Sequence, residues 1–306
     1  MDGTEWLAGH FEQHRPHLRA VAYRMLGSLA EADDAVQDTW LRLSRSGAAD
    51  VENLGGWLTT IVARVCLNML RSRRHRREEP LPARLPDPVI SMDGTGQPEE
   101  QALLADSVGL ALLVVLDALT PDERLTFVLH DMFDLPFAEI APVVGRSPAA
   151  AKQLAMRARR RVQGADVPAP DPDPVRQREV VGAFFAAARR GDFDALVAML
   201  HPDVVGRADF GARRQAGPLV IRGAEAVARQ SILGAARGGD VLHPVRVNGA
   251  PGMVISMRGR PLAVMCFTVA DGSITEIDTI ADPGRVRMIT AAVLTWPAQW
   301  AETGRA

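Results

Sequence analysis

A glycine and a proline three residues apart divide the segment 136–161 and limit what it can fold into. Gly145 can adopt the positive φ that a sharp turn requires. Ser147 followed by Pro148 is typical of a helix start, with the serine as N-cap and the proline at the first helical position. The segment therefore predicts a helix, a tight turn and a second helix.

Apolar residues give each of these two helices one inward face. In the first helix Ile140 and Val144 form an i, i+4 row, and in the second the apolar residues recur at 3-4-4 spacing. The inward residues of the second helix are Ala151, Leu154, Ala158 and Val162. Its outward residues are Ala149, Lys152, Gln153, Met156, Arg157 and Arg160. Such a helix can lie in a DNA major groove, whereas an ordinary helical hairpin with a solvated basic face is the alternative.

Charge is distributed unevenly, although the net charge of the 306-residue chain is only −2. Residues 71–77 are nearly all basic, and residues 140–165 contain six cationic side chains and no acid. Between them, residues 78–139 hold thirteen acids and two cations. Two basic patches separated by an acidic stretch fit two separate contacts on DNA, although a charge run is also common on a solvated helix face.

Composition excludes several classes of protein. The N-terminus lacks an apolar signal core and no run reaches the ~18–20 apolar residues of a membrane span, so we expect a cytoplasmic protein without a membrane partner. Cys66 and Cys266 are expected to be small core residues in a reducing compartment. His10, His14 and His17 share one helical face. Because no carboxylate or cysteine completes their set, neither a metal nor a cofactor is expected.

Prolines and the period of the apolar residues predict three domains. Two are helical throughout, and the second of these ends in the helix-turn-helix. The linkers between domains are rich in proline, and the first linker is also acidic. The expected boundaries are 1–77 for the first helical domain, 78–98 for the first linker, 99–165 for the second helical domain, 166–174 for the second linker, 175–290 for the third domain and 291–306 for a tail.

The third domain has a different pattern. Helices are expected at about 175–190, 192–200 and 223–236. Between and after them come short segments rich in β-forming residues, near 203–209, 218–222, 241–247, 252–258, 261–270 and 273–280. Helices packed on one face of a mostly antiparallel sheet make an α+β domain.

Three further motifs of the first 165 residues, with the helix-turn-helix, resemble a known family. They are HRPHLRAVAYRMLGS at 14–28, ADDAVQDTWLR at 32–42 and WLTTIVAR at 57–64. Together they resemble the bacterial extracytoplasmic-function sigma factors, which have all-α sigma-2 and sigma-4 domains in this order. The region after residue 175 resembles a SnoaL-like domain, an α+β fold of cone shape. A recognised group of sigma factors carries this extra domain.

The resemblance implies an alternative sigma factor without bond chemistry of its own. It implies RNA polymerase core as a partner, through the β′ and β subunits, and promoter DNA as the second partner. The helix at 33–42 is assigned to the core, and acids around an apolar contact suit an arginine-bearing surface. An ordinary solvated helix face is the alternative. The core-binding residues implied are Asp33, Asp34, Gln37, Asp38, Leu41 and Arg42.

The resemblance also assigns the two promoter elements. Residues 44–60 and the helix after them are assigned to the minus-10 element, where a base is held out of the stack. The candidates for this base are Glu52, Asn53, Trp57 and Thr60, and a core position for Trp57 is the alternative. The candidates for the phosphates are Arg64, Arg71, Arg73 and Arg74.

The second helix of the helix-turn-helix is assigned to the minus-35 element. Gln153 can bridge an adenine, and Arg157 or Lys152 can pair with a guanine. Arg159, Arg160 and Arg161 are expected to hold phosphates instead. The full set of candidates at this element is Ser147, Ala149, Lys152, Gln153, Arg157 and Arg160.

Control in cis is the role that the resemblance implies for the third domain. It would pack against sigma-2, sigma-4 or the 78–98 linker and bias a two-state equilibrium, which an unidentified small ligand in the cone could shift. Three short motifs of the group appear here in diverged form, at 84–88, 209–213 and 282–286. The regulatory contacts expected from them are Leu85, Pro86, Asp87, Asp209, Gly211, Arg213, Pro283 and Arg285.

Two other functions remain open at this point. The first is a SnoaL-type enzyme or a DNA-binding sensor of small molecules, because cone folds can position an acid or base in an apolar cavity. Its candidates by residue type are His201, Asp203, Asp209, Asp278 and His243. The second is a DNA-binding regulator that acts without polymerase. The acidic core-binding helix favours the sigma factor over both.

Overall fold

The computed structural model describes most of the chain in two compact units. The described residues are 3–46, 53–76, 84–92, 109–164, 170–214, 217–236, 241–291 and 293–294. The helical unit comprises 1–80, 97–108 and 112–167, and the C-terminal unit comprises 81–96, 109–111 and 168–306. None of the described helices is long and apolar enough to cross a membrane.

Three helices form the first part of the helical unit: α1 (Gly3–Leu26), α2 (Leu29–Ser46) and α3 (Leu54–Arg76). They pack pairwise around an apolar core that includes Phe11 and Tyr23. Cys66 is a free thiol within this core, as expected, and burial raises its pKa.

Four helices follow: α4 (Leu110–Asp117), α5 (Pro121–Phe127), α6 (Phe137–Val144) and α7 (Pro148–Gly164). A single π-helical turn, Val128–Met132, continues α5. Thr120 and Glu123 form a capping box at the start of α5, in which each side chain accepts the backbone N–H of the other residue. This cap fixes where α5 begins.

Within the helical unit, α3 packs against α5 and α6. The guanidinium of Arg124 on α5 is fully buried and donates two hydrogen bonds to the carbonyl oxygen of Arg24, at 3.2 and 3.3 Å. It also pairs with Asp117 at 3.0 Å. At the surface, Arg71 pairs with Asp122 at 2.8 Å. The two groups of helices are therefore joined by a buried cation as well as by apolar packing.

The C-terminal unit contains one seven-stranded sheet. Its strands are β1 (Ile90–Ser91), β2 (Leu200–Asp209), β3 (Leu219–Arg222), β4 (Val241–Val247), β5 (Ala250–Met257), β6 (Arg260–Ala270) and β7 (Ser273–Ile280). Their order in the sheet is β1-β4-β5-β6-β7-β2-β3. Only β2 and β7 run parallel, and the other neighbours are antiparallel. The sheet is therefore mixed, and the expected α+β class is confirmed.

Helices α8 (Pro174–Arg190), α9 (Phe193–Met199) and α10 (Ala224–Ala236) cover one face of this sheet. The core between them is aromatic at its centre, where the rings of Phe184 and Phe267 lie 5.5 Å apart. A last helix, α11 (Pro283–Thr290), follows β7 and packs on β6. Cys266 on β6 is buried and free, as expected.

Two elements differ from the sequence prediction. Strand β1 lies inside the expected first linker, and its two residues have no periodicity of their own; they pair with Arg246 and Val247 of β4. Helix α11 was not expected either. It has the same start signal as other helices, because the carboxylate of Asp282 caps the N–H of Arg285 at 2.9 Å and Pro283 takes the first position.

A buried charged cluster joins β2 and β7. The guanidinium of Arg207 donates to Glu276 at 3.0 Å and to Asp278 at 3.1 Å. Asp278 is 3% exposed, and burial raises its pKa to about 6 against the opposing charge of Arg207. Two carboxylates thus share one cation in a place with little water.

We predict that Asp278→Asn weakens the pH dependence of stability between about pH 4 and pH 6. Asp278 binds its proton more tightly in the folded state than in the unfolded chain, so its contribution to the free energy of unfolding falls as the pH rises through this window. The asparagine does not titrate. Urea unfolding at each pH should show the variant gaining on the order of 2 kcal/mol relative to wild type from pH 4 to pH 6. A constant difference would contradict the raised pKa.

Candidate functional site

The turn between α6 and α7 has the geometry that its sequence predicts. Gly145 ends α6 with φ 69° and ψ 40°, in the left-handed region. The hydroxyl of Ser147 accepts the N–H of Ala150 at 3.3 Å, and Pro148 is the first residue of α7. Ser147, a candidate for DNA contact, thus has a structural role as the cap of α7.

The faces of α7 agree with the sequence prediction at nearly every position. Ala151, Leu154 and Ala158 are buried, as is Ala155, whereas Val162 is only half-buried because it lies near the end of the helix. All six residues that were expected to face outward are exposed: Ala149, Lys152, Gln153, Met156, Arg157 and Arg160.

Arginines near the C-terminal end of α7 form ion pairs with acidic residues of the same unit. The buried carboxylate of Glu123 accepts Arg161 at 2.7 Å, and Asp131 forms an ion pair with Arg159. Arg157 lies 3.9 Å from Glu123 with its side chain 61% exposed. All three arginines therefore have a carboxylate nearby, and Arg157, which has the longest separation and the most exposed side chain of the three, is the most accessible to a base.

The outward row of α2 is a continuous polar surface with one large apolar residue. Leu41 is 42% exposed, although Val36 and Leu43 on the opposite face are buried. Asp33 pairs with Arg19 at 2.6 Å, and Asp38 pairs with Arg42 at 2.9 Å. Asp34 and Gln37 are exposed in the same row. The structure thus brings all six core-binding candidates onto one accessible face.

The minus-10 candidates gather at the start of α3. Asn53 caps this helix, because its side-chain oxygen accepts the N–H of Gly56 at 3.0 Å. Trp57 and Thr60 are half-buried, and the hydroxyl of Thr60 donates to the carbonyl of Gly56 at 3.0 Å. Glu52 lies outside the described residues.

The four candidate arginines of α3 differ in accessibility. Arg64 and Arg74 are exposed, and Arg71 is exposed but paired with Asp122. Arg73 is half-buried, forms an ion pair with Glu31 and donates to a backbone carbonyl at 3.3 Å. Arg64 and Arg74 are the better placed of the four to bind phosphates.

One arginine organises the contact between the first linker and the rest of the C-terminal unit. The guanidinium of Arg285 donates to Asp87 at 2.8 Å, to Asp209 at 2.7 Å and to the carbonyl of Leu85 at 2.7 Å. Asp209 also accepts the N–H of Leu85 at 3.0 Å. We call these four residues the linker clamp. Asp87 and Asp209 are both buried, and Arg285 forms an ion pair with each of them.

Glycine is required beside the clamp. The second carboxylate oxygen of Asp209 accepts the N–H of Gly211 at 2.9 Å, and Gly211 has φ 59°. A Cβ atom at this position would lie 2.0 Å from the carboxylate of Asp282. Any side chain here would displace the residue that caps α11, the helix that carries Arg285.

A second attachment of the linker was missed in the sequence. Asn248 follows β4 at φ 47°, and its backbone N–H donates to the carbonyl of Val89 at 2.9 Å. Its side-chain oxygen accepts the N–H of Val89 at 2.8 Å. An Asn-Gly pair such as that at 248–249 is typical of a hairpin turn. No local pattern, however, indicates that Asn248 bonds Val89, which lies 159 residues earlier in the chain.

Seven of the eight expected regulatory residues lie at or beside the clamp, and Arg213 does not take part. Pro86 is buried within the linker, and Pro283 starts α11. Arg213 is exposed on a 3₁₀ turn and forms no ion pair within the described ranges.

The acid and base candidates for an enzyme do not share a site. A cavity of about 300 Å³ lies between the sheet and its covering helices, and none of the described residues that line it is a carboxylate or a histidine. Asp209 belongs to the clamp and Asp278 to the cluster with Arg207. The ring of His243 bonds Ser256 at 3.0 Å, while His201 accepts the N–H of Asp203 at 3.2 Å. No set of three described side chains converges as a metal site requires.

Two family models match the helical unit. Sigma-70 region 2 matches residues 10–76 and Sigma-70 region 4 matches residues 109–162. The chain is 39% identical over 289 residues to the ECF RNA polymerase sigma factor SigJ of Mycobacterium tuberculosis (strain ATCC 25618 / H37Rv). This match covers 90% of the present chain and 91% of SigJ. The probable ECF RNA polymerase sigma factor SigI of M. tuberculosis is 33% identical, with coverage of 91% and 94%.

The crystal structure of M. tuberculosis extracytoplasmic function sigma factor SigJ matches with a TM-score of 0.73 and 36% identity. The match covers 91% of this chain and 97% of that one, so it includes the C-terminal unit. The chain therefore belongs to the extracytoplasmic-function RNA polymerase sigma factors. Helices α1–α3 are its sigma-2 domain, and α4–α7 are its sigma-4 domain.

We predict that Arg285→Ala releases the linker from the clamp. The variant leaves two buried carboxylates without their cation, which costs about 3–5 kcal/mol in a folded site. Amide hydrogen exchange of residues 85–91 should accelerate by at least about 100-fold, since each 1.4 kcal/mol is a factor of ten. The matched control is Arg287→Ala on the same helix, because the exposed guanidinium of Arg287 donates to the carbonyl of Pro283 one turn away and contacts neither Asp87 nor Asp209 among the described residues. Equal exchange in both variants would contradict the clamp.

Proposed function

We propose that this sigma factor initiates transcription at specific promoters and that its C-terminal unit controls initiation in cis by holding the first linker. The observation that carries the proposal is the linker clamp, in which Arg285 joins Asp87 and Leu85 of the linker to Asp209 at the end of β2. Because polymerase and promoters lie in the bacterial cytoplasm, we place the protein there.

The linker is a suitable point of control because it sets the reach between the two DNA-binding domains. Residues 77–109 separate α3 from α4, and a chain of this length spans ~110 Å when fully extended. The two promoter elements lie tens of ångströms apart, since DNA rises ~3.4 Å per base pair. When residues 85–91 are held by the clamp, the linker has a shorter free length on each side. The clamped state therefore disfavours the separation of sigma-2 and sigma-4 that binding to both promoter elements requires.

The packing within the helical unit supports the same proposal. Arg124 on sigma-4 is buried against the carbonyl of Arg24 on sigma-2, so the two domains contact each other directly. Reading two separated promoter elements requires this contact to open. A hydrogen bond from a buried charged group to a carbonyl costs free energy to break unless a new partner takes its place. The packed arrangement of sigma-2 and sigma-4 is therefore the favoured one in the absence of polymerase and DNA.

We assign three surfaces of the helical unit to three contacts. The outward row of α2 binds polymerase core, through β′ and adjoining β surfaces. The start of α3, with Arg64 and Arg74, binds the minus-10 element. The outward face of α7 reads the minus-35 element in the major groove. The exposure of Leu41, Gln153 and Arg157 supports these assignments, because interface anchors must be accessible before binding.

Run-off transcription with purified polymerase core tests the proposal. Templates from a promoter library are transcribed with the wild type, with Arg285→Ala and with the matched control Arg287→Ala. Release of the linker should raise promoter-dependent transcript at least threefold in Arg285→Ala alone. Equal transcript from all three proteins would refute control by the clamp, whereas absence of any transcript and of core binding would refute initiation itself.

Leu41 is expected to anchor the core contact. We predict that Leu41→Ala weakens binding to polymerase core by about tenfold or more, because an exposed apolar residue between acids becomes buried on binding. The protein's own stability should change by less than about 0.5 kcal/mol, since the side chain is largely exposed. Leu262→Ala, a change of the same kind at a position 37% exposed on β6, is the control. Fluorescence anisotropy measures both, and equal affinities would argue against this anchor.

Base reading by α7 is expected to depend on Arg157. We predict that Arg157→Ala costs ~1–3 kcal/mol at one base position and relaxes specificity there. Arg161→Ala is the comparison, because Arg161 is held by Glu123 and is not expected to read a base. Binding measured on a set of single-base minus-35 variants separates the two. A uniform loss on all sequences for Arg157→Ala would assign it to phosphates instead.

The second candidate function is small-molecule sensing rather than catalysis. The cavity of the C-terminal unit favours it, because the described lining offers apolar surface without a carboxylate or imidazole to move a proton.

A further inference from the structure

We propose that the cavity of the C-terminal unit binds a small apolar molecule carrying one anionic group, and that its binding tightens the linker clamp. The inference deepens the control in cis proposed above and rests on it. The ligand is recognised by its chemistry: an aromatic or branched aliphatic body with a single carboxylate or comparable anion.

The interior of the cavity fits an apolar body. Its volume of about 300 Å³ is at the lower end of the range for small-molecule sites. Phe184 and Phe185 of α8 line it on one side, and Met265 and Ile277 of the sheet line it on the other. The ring centroids of Phe184 and Phe185 lie 5.7 Å apart in an edge-to-face arrangement. Such a wall gains most from a ligand with an apolar ring.

The charge around the cavity fits an anion. Two arginines line it, and the guanidinium of Arg207 is bound by Glu276 and Asp278. Arg189, at the end of α8, is exposed and pairs with no carboxylate among the described residues. A carboxylate at the rim would form a charge-assisted bond with this arginine while its apolar body entered the cavity.

The wall of the cavity and the clamp are built from the same chain segments. Ala208 and Phe210 line the cavity, and Asp209 between them holds the linker on the opposite face of β2. Ala281 also lines the cavity and donates its N–H to the carbonyl of Asp209 at 2.8 Å. The next residue, Asp282, caps the helix that carries Arg285.

This arrangement predicts whether the ligand favours the clamped or the released state of the linker. A ligand can shift a two-state equilibrium only by its difference in affinity between the states. In the clamped state the bonds of Asp209 and Arg285 to the linker help to fix the segments that carry Phe210 and Ala281, and release of the linker removes those bonds. A ligand that contacts this wall therefore binds the clamped state more tightly and favours the resting sigma factor.

Binding is tested on the full chain with two probes of the same shape, 2-naphthylacetate and its neutral amide. Titration calorimetry should give a Kd of about 10–100 µM for the acid, as expected for a ligand of this size. The amide should bind at least about tenfold more weakly, and Arg189→Gln should remove that difference. Equal affinity of the two probes for the wild type, or no binding of either, would overturn the assignment.

The position of the probe is tested with two glycines on helices. An ideal Cβ at Gly234 or at Gly182 meets no atom within 4 Å, so both tolerate a larger side chain. Gly234 lines the cavity on α10 and Gly182 does not, although it lies on α8. Gly234→Leu should weaken binding of 2-naphthylacetate at least tenfold, and Gly182→Leu should leave it unchanged. Equal affinity in both variants would place the probe elsewhere and overturn the site.

Coupling is tested by hydrogen exchange at the amide of Leu85, which bonds the carboxylate of Asp209. With 2-naphthylacetate at ten times its Kd, exchange should slow by up to about tenfold if only the clamped state binds. Unchanged exchange at saturation would overturn the coupling. That failure is distinct from failure of control in cis, because the comparison of Arg285→Ala with wild type in transcription uses no probe.

Discussion

The ion pairs of Arg285 with Asp87 and Asp209 are the central contact between the docked linker and the rest of the C-terminal unit. The guanidinium of Arg285 is surrounded by two buried carboxylates and a carbonyl. Buried ion pairs of this kind add little net stability compared with apolar packing. Removal of one member is strongly destabilising, however, because the other charge is left buried without a partner. Loss of this guanidinium would therefore break its bonds to Asp87 and to Leu85 of the linker at once.

The helical unit uses its buried charges in a similar way. Glu123 caps α5 and also holds Arg161 near the end of α7, so one carboxylate contributes both to the start of α5 and to the position of α7. Arg124, next in sequence, joins sigma-4 to sigma-2 through the carbonyl of Arg24. Two adjacent residues thus set the internal geometry of sigma-4 and its contact with sigma-2. Opening the unit would disturb the contact of Arg124 while the hold of Glu123 persists within sigma-4.

Local patterns predicted most of the elements, and long-range partners could not be predicted. The six longer strands are rich in β-forming residues, and the faces of α7 follow its 3-4-4 spacing, so both were expected. Strand β1 was missed because two residues carry no period, and its pairing is supplied by β4. The start signal of α11 at Asp282 was present in the sequence but was assigned to a motif. The buried state of Arg124 and the role of Asn248 depend on partners 100 and 159 residues away, which a single sequence does not reveal.

Strand β1 also has a consequence for self-association. It is the outermost strand of the sheet and covers the last two residues of β4, while Pro244 earlier in β4 has no N–H to offer a neighbour. An uncovered strand is a template for pairing with another chain, and proteins usually shield such edges. In the released state proposed above, part of this shielding would leave with the linker. The freed sigma factor would then carry an open sheet edge, so a prolonged active state would expose the protein to aggregation unless polymerase engaged it promptly.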